Sequence, residues 1–314
     1  MGKNFKMESR RLWKGFWQIS DPKIWVASTV PLIVANALAF GHTGELSFYW
    51  LMITLIGIYS IEIAKNALND VVDYQSGADL FVEKDKTTPF SGGKKVIVQR
   101  LLSIKETMMI FYITLSIGII TGLYIAFYRE FSVLWIGIAG ILLAVFYSLP
   151  PIKLCYRGLG EAAIGITFGP LMVTGAYMVQ AGALSFDVIL VSFPIGLIIA
   201  SVIWINQYPD YEADYKAKKF NWVVRLGKRR GLVVYKALFI IAFLCFILMF
   251  VYFKNPLWLL PLVCIRLARK AYKVAKSNYD HIPQMLEANA TTIKIYQIIG
   301  ALMVLAAISE RMAS

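Results

Sequence analysis

The sequence predicts an all-α, polytopic membrane protein of about nine transmembrane helices, and three observations carry that expectation. Hydrophobic residues make up 58% of the 314 residues, against roughly 45–50% in an ordinary soluble domain. Long apolar runs recur from residue 24 onward. Those runs are continuous rather than alternating, which is the pattern of spanning helices and excludes a β-barrel. The same composition excludes a disordered chain, a collagen and a disulfide scaffold.

A spanning helix needs about 20 mostly apolar residues. The first expected span, residues 24–41, follows a basic stretch with Lys3, Lys6, Arg10, Arg11 and Lys14. Ala37-Leu38-Ala39 resembles a signal-peptidase site, but the run is long and many spans follow, so a retained span is expected. Lys6 stands where N-myristoylation requires Ser or Thr. The second span, 46–65, leads into an acidic motif. The third and fourth are expected at 106–127 and 131–149, and the fifth at 160–181. The sixth, 187–206, leads into a second acidic motif, where Pro209 is expected to end the helix or open a new one. The seventh, 232–253, follows Arg225, Lys228, Arg229 and Arg230, a charge run that reads as a lipid-facing cytoplasmic patch. The eighth, 256–268, is the shortest, and the ninth covers 290–309. Residues 1–314 are read as one integral membrane domain, with no obligate protein partner evident.

Lys and Arg number 32 against 19 Asp and Glu, a net charge of +13. With nine spans, one side holds 1–23, 66–105, 150–159, 207–231 and 269–289, which carry most of the basic residues. The other side has Arg129, Lys254 and Arg311. This bias places the N-terminus in the cytoplasm of a cell-membrane protein and the C-terminus outside. The positive charge is explained by orientation and anionic lipid, and no soluble basic face offers itself to nucleic acid. Cys155, Cys245 and Cys264 are too dispersed for a disulfide framework or a zinc site. His42 and His281, the only histidines, make histidine-ligand metal chemistry improbable.

The chemistry lies in the two acidic motifs. The first reads Asn69-Asp70-Val71-Val72-Asp73-Tyr74-Gln75-Ser76-Gly77-Ala78-Asp79, and the second Asn206-Gln207-Tyr208-Pro209-Asp210-Tyr211-Glu212-Ala213-Asp214. Four spans separate them, so both meet the cytoplasmic interface. Asn69 and Asp73 are one helical turn apart, and Asn66 and Glu62 continue that face into the span. Gly77 breaks this helix before Asp79. Asp210 and Asp214 share the same spacing, with Lys218 one turn further. Carboxylates that face one another repel unless a cation lies between them, and Mg²⁺ commonly bridges one or two carboxylates to substrate phosphates. Lys153, Arg157, Lys218 and Lys219 are the basic candidates for a phosphate, Lys218 first because of its spacing from Asp214. Ser91-Gly92-Gly93-Lys94-Lys95 lacks the P-loop pattern and reads as a flexible loop.

These residues resemble the UbiA superfamily of intramembrane prenyltransferases over most of the chain. Asn69 to Asp79 has the form NDxxDxxxGxD, and Asp210 with Asp214 the form DxxxD, followed by Val224-Arg225-Leu226-Gly227. Tyr147-Ser148-Leu149-Pro150-Pro151, Gly158-Leu159-Gly160-Glu161, Phe168-Gly169-Pro170 and Thr88-Pro89-Phe90-Ser91-Gly92-Gly93 resemble the branch that prenylates 1,4-dihydroxy-2-naphthoate for menaquinone. The resemblance implies a nine-helix bundle whose cavity opens to lipid. It implies metal clusters of Asn69, Asp73 and Asp79 and of Asp210 and Asp214, with Mg²⁺ as cofactor. It implies Lys218 and Lys153 as diphosphate-binding residues and Tyr147 near the reacting carbon. Asp21-Pro22-Lys23 and Thr88-Pro89 stand where many members carry Arg-Pro, which argues against the 4-hydroxybenzoate and haem branches.

The expected reaction is transfer of a polyprenyl group from a prenyl diphosphate to an aromatic acceptor, through an allylic cation sheltered by an apolar, aromatic-lined tunnel. One alternative is another acceptor, 4-hydroxybenzoate or a glycerol-phosphate ether lipid. The other is an ion-coupled transporter, against which stand acids at one interface and no span obviously broken near its centre.

Overall fold

Apolar chain can cross hydrocarbon only if it closes its own backbone hydrogen bonds. In the computed structural model, which describes residues 2–81, 88 and 93–312, every regular element among those residues is accordingly helical. The helices are α1 Gly2–Ser20, α2 Val26–Thr43, α3 Phe48–Ser76, α4 Ile104–Tyr128, α5 Val133–Phe146, α6 Gly160–Ile166 and α7 Met172–Ala181. They continue as α8 Phe186–Lys216, α9 Trp222–Leu226, α10 Lys228–Phe253, α11 Ile265–Asn278 and α12 Ile282–Ser309. Local chemistry sets many of the ends. Ser47, Ser103, Ser185 and Asn221 each accept a backbone N–H at a helix start. Gly44, Gly77 and Gly182 close helices with positive φ.

Seven helices among the described residues are long and apolar enough to cross a membrane: α2, α3, α4, α6–α7 taken together, α8, α10 and α12. They match seven of the nine expected spans, and the other two differ. The fourth, expected at 131–149, has only 14 helical residues, because Leu149 precedes Pro150-Pro151 and the segment before proline leaves the helix. The eighth, expected at 256–268, is a 3-10 stretch over Pro256–Cys264 that passes into α11. Pro256 and Pro261 each withdraw an N–H there, and α11 carries Arg266, Arg269, Lys270, Lys273 and Lys276 on its polar face.

Two further expectations change. The span Gly160–Ala181 is interrupted at its middle by a π-helical turn, Thr167–Leu171, which contains Pro170. Pro209 neither ends nor restarts a helix: α8 runs unbroken through Pro194 and Pro209 for 31 residues. Behind Pro209, Tyr208 donates to Lys228 O at 2.8 Å and Trp204 Nε1 to Gly231 O at 2.9 Å, which fixes α8 against α10.

The N-terminal basic stretch is itself a helix. Gly15 and Ile19 of α1 are buried while Trp13 and Trp17 are exposed, the arrangement of a helix lying in an interface. Arg11 grips both carboxylate oxygens of Glu106, at 3.1 and 2.6 Å. Elsewhere, small residues permit close helix contact. A Cβ at Gly196 of α8 would lie 2.6 Å from Gly165 O, and one at Gly169 would lie 2.8 Å from Gly196 Cα. That contact sets α6 and the π turn directly on α8, the most buried of the crossing helices.

Between α2, α3, α4, α5, α6 and α7 lies an open groove. Its walls are aliphatic and glycine-rich, with Gly57, Gly118, Gly122, Gly137, Gly140 and Gly175 among the lining residues. The expected aromatic lining is not seen: Phe168 and Tyr147 are the aromatic residues among its described walls. At Gly122, Gly137 and Gly140 a Cβ would meet no atom within 4 Å, so these positions leave width in the groove.

Candidate active site

The first motif sits on the last turns of α3. Asn69 and Asp73 share a face, as their spacing requires, and Asn69 Nδ2 donates to Asp73 Oδ2 at 2.9 Å. Ser148, in the turn after α5, donates to Asn69 Oδ1 at 2.6 Å. Tyr156 donates to Asp73 Oδ1 at 2.8 Å and lies 2.6 Å from Ser76 Oγ. Asp73 is 2% exposed. Gly77, at φ 81, then turns the chain so that Asp79 comes back beneath Asp73, its N–H 3.4 Å from Asp73 O.

The acids of this motif divide their work. Asp70 is 1% exposed and accepts from the N–H of Lys95 at 2.5 Å and of Ile97 at 3.3 Å, so it clamps the segment before α4. Asp79 Oδ1 accepts from Gly93 N at 3.1 Å, while its buried Oδ2 has no hydrogen-bond partner. Any Cβ at Gly93 would lie 2.7 Å from that second oxygen. Burial above all, then the charges of Asp73 and Asp70, pushes the Asp79 carboxyl up to about 7. The described part of the 91–95 segment is thus held by carboxylates, whereas Ser91, Gly92, Pro89 and Phe90 lie outside the described residues.

The second motif approaches from the end of α8. Asp210 and Asp214 stand on one continuous helix, and Asp214 Oδ2 accepts from Asn221 Nδ2 at 2.8 Å. Between the two motifs lies Lys219. Its Nζ donates to Asp73 Oδ2 at 3.1 Å and lies 3.9 Å from Asp214 Oδ1. Burial works against this ammonium, but the two carboxylates outweigh it and raise its pKa well above the usual lysine value. Lys218, favoured by spacing, is exposed. The reason is local. Helix α8 ends at Lys216, Lys218 turns at φ 56, and Lys219 N then bonds back to Asp214 O at 2.8 Å, so helical spacing no longer applies.

Lys153 and Lys219 flank the ring of Tyr156, at 4.7 and 5.5 Å from its centre. Tyr156 carries no motif signal in the sequence. Burial first, then the Asp73 charge, pushes its phenol upward, so it remains a donor to Asp73. Tyr147 lines the groove beside this centre, and its carbonyl accepts from Cys155 N at 3.0 Å. Glu161 is a brace: its Oε1 accepts from Gln207 Nε2 and Trp222 N, both at 2.9 Å, tying α6 to α8 and α9. Arg225, in the expected charge run, is exposed and donates to Phe220 O at 2.7 Å and Arg157 O at 3.1 Å.

Asn69, Asp73, Asp79, Asp210 and Asp214 offer hard oxygen donors of the kind that suit Mg²⁺. The orphaned Asp79 oxygen and an ammonium lodged between opposed carboxylates both fit a place for positive charge. Among the described residues no three acids stand close enough to enclose an ion alone. A cation here would complete its shell from a ligand such as a phosphate.

The profile of the UbiA prenyltransferase family matches residues 28–293. A 1,4-dihydroxy-2-naphthoate octaprenyltransferase of Haemophilus influenzae is 30% identical over 254 residues, 77% of this chain and 78% of that protein. A 2-carboxy-1,4-naphthoquinone phytyltransferase of Synechocystis is 30% identical over 71% of this chain and 68% of its own. Among solved structures, a UbiA homologue from Archaeoglobus fulgidus bound to GPP and Mg²⁺ superposes with a TM-score of 0.63 at 16% identity. It covers 95% of this chain and 99% of that one.

Proposed function

The chain belongs to the UbiA prenyltransferase family and is an integral membrane prenyltransferase, and from that premise we propose that it moves a polyprenyl group from a prenyl diphosphate to 1,4-dihydroxy-2-naphthoate, with Mg²⁺, in menaquinone synthesis. The observation that carries the reading is the pairing of opposed carboxylates around Lys219 with the mouth of an apolar groove at Tyr147. A diphosphate with a hydrocarbon tail needs one end of each kind. The naphthoate enzymes among the relatives, at 30% identity, support the acceptor.

Bound Mg²⁺ would neutralise the diphosphate as it departs with the electron pair of the C–O bond. Asn69, Asp73, Asp79, Asp210 and Asp214 are the residues proposed to hold it. Lys219, already charged and poised between Asp73 and Asp214, is proposed to pair with a phosphate oxygen, with Lys153 as a second basic contact. Tyr156 and Ser148 orient Asp73 and Asn69 by donating to them. Tyr147 stands at the groove mouth, where the allylic carbon would lie. The electron-rich ring supplies the pair for the new C–C bond, and the attacked carbon then loses its proton, or its carboxyl group as CO₂, with the bonding pair returning to the ring to restore aromaticity. No side chain need act as a strong base. A single membrane domain is proposed to do this with its active face to the cytoplasm, a placement that the Lys and Arg bias supports.

The test is purified protein in lipid with Mg²⁺, a C20 or longer prenyl diphosphate, and each acceptor in turn. Prenylated naphthoate product is expected. Product from a glycerol-phosphate lipid and none from any aromatic acid would overturn the acceptor.

A further inference from the structure

Glu62 is 5% exposed, yet it lines the apolar groove. An ion so placed costs several kcal/mol unless it is compensated. The compensation is half complete. Ser28, on α2, donates to Glu62 Oε2, whereas Oε1 is buried with no hydrogen-bond partner. Lys65 stands near the next turn of α3 and lines the same groove. No hydrogen bond or ion pair of its ammonium is seen among the described residues. The other charges that act on the two are Asp21 and Lys94, which already pair with each other at 2.5 Å. The two charges act on each other, and among the described residues the groove presents one carboxylate oxygen without a hydrogen-bond partner beside an ammonium without one.

Position narrows what they serve. At about 1.5 Å of rise per residue, Lys65 and Glu62 lie about 6 and 10 Å before Asn69 along α3. That is below the carboxylate–lysine centre, at the depth where a prenyl carbon freed from its diphosphate would meet a partner. A hydrocarbon tail gains nothing from either charge. The diphosphate is provided for at the other end. The remaining reactant is the acceptor.

We propose that Glu62 and Lys65 form the recognition pair for the acceptor, an aromatic ring carrying a hydroxyl beside a carboxylate. Glu62 Oε1 accepts the hydroxyl proton in a hydrogen bond, Lys65 Nζ pairs with the carboxylate, and Ser28 holds Glu62 in position. The ring lies in the groove that both side chains line. This rests on the prenyl-transfer reading above and assigns residues to its acceptor.

The test pairs two acceptors, 1,4-dihydroxy-2-naphthoate and 1,4-dihydroxynaphthalene, which lacks the carboxylate, with wild-type protein and K65M, K65R and E62Q. K65M is expected to raise the KM for the naphthoate at least tenfold, to leave that for dihydroxynaphthalene within twofold, and to leave the donor KM unchanged. K65R is expected to restore most of the loss. E62Q should raise the KM for both acceptors. Binding of naphthoate without donor, followed by tryptophan fluorescence, should weaken in parallel. Equal effects of K65M on both acceptors, or none on either, would overturn the pair while leaving the prenyltransferase standing. Wild-type protein that neither binds nor prenylates any aromatic acid, but prenylates a glycerol-phosphate lipid, would overturn both.

Discussion

Lys219 joins two acidic motifs that stand far apart in the chain: its ammonium donates to Asp73, 146 residues away, at 3.1 Å. The same Nζ lies 3.9 Å from Asp214. One lysine thus supplies the positive charge that the carboxylates of both motifs require.

Lys219→Ala should therefore reduce turnover by about a hundredfold to a thousandfold, the range expected for one preorganised electrostatic contact to developing charge. Lys218→Ala, at an exposed position, should change it by less than about twofold. Kinetics of the two variants at saturating acceptor decide between the neighbouring lysines.

Removing Lys219 should also expose repulsion between Asp73 and Asp214. Thermal unfolding of Lys219→Ala without divalent cation should fall below that of the wild type, and added Mg²⁺ should recover part of the difference. A variant unfolding at the wild-type temperature in chelator would show that the lysine charge is dispensable.

Asp73→Ala and Asp210→Ala should each lower turnover by about a hundredfold or more while the protein stays folded, because each removes an anionic oxygen from the proposed metal site. Chelation with EDTA should stop the wild-type reaction and Mg²⁺ restore it. Both variants retaining full activity in EDTA would remove support for a metal-held diphosphate.

Gly137 and Gly140 line the groove, and a Cβ at either would meet no atom within 4 Å. Gly140→Leu should leave stability nearly unchanged and shift donor preference towards shorter chains. Competition between C20 and C40 diphosphates gives the ratio directly.

Gly196 behaves in the opposite way. A Cβ there would lie 2.6 Å from the backbone oxygen of Gly165, which cannot swing aside as a side chain would. Gly196→Ala should cost about 1–3 kcal/mol in stability, the scale of an overpacked core. Denaturation in detergent would measure it.

The sequence made the two acidic motifs legible because helical spacing is local. Asn69 and Asp73, or Asp210 and Asp214, share a face whatever surrounds them. Helical spacing points to Lys218 rather than Lys219, but the helix ends at Lys216 and the spacing rule ends with it. Tyr156 was unreadable, since its role depends on the turn after α5 folding over α3. Seven spans followed from hydropathy alone. The π turn at Thr167–Leu171 did not, because proline inside an apolar run can bend, shift or merely interrupt a helix, as the unbroken α8 shows. Abundant aromatics do not say where they point, and among the described residues only Tyr147 and Phe168 line the groove.

The groove walls belong to the same helices that cross the bilayer, and a polyprenyl tail is dissolved in that bilayer before it is bound. For such a substrate, litres of buffer are the wrong measure of volume. Its effective concentration is a mole fraction in lipid, so diluting the vesicles should leave the rate per protein unchanged. Adding inert phospholipid at constant enzyme and donor should slow it in proportion.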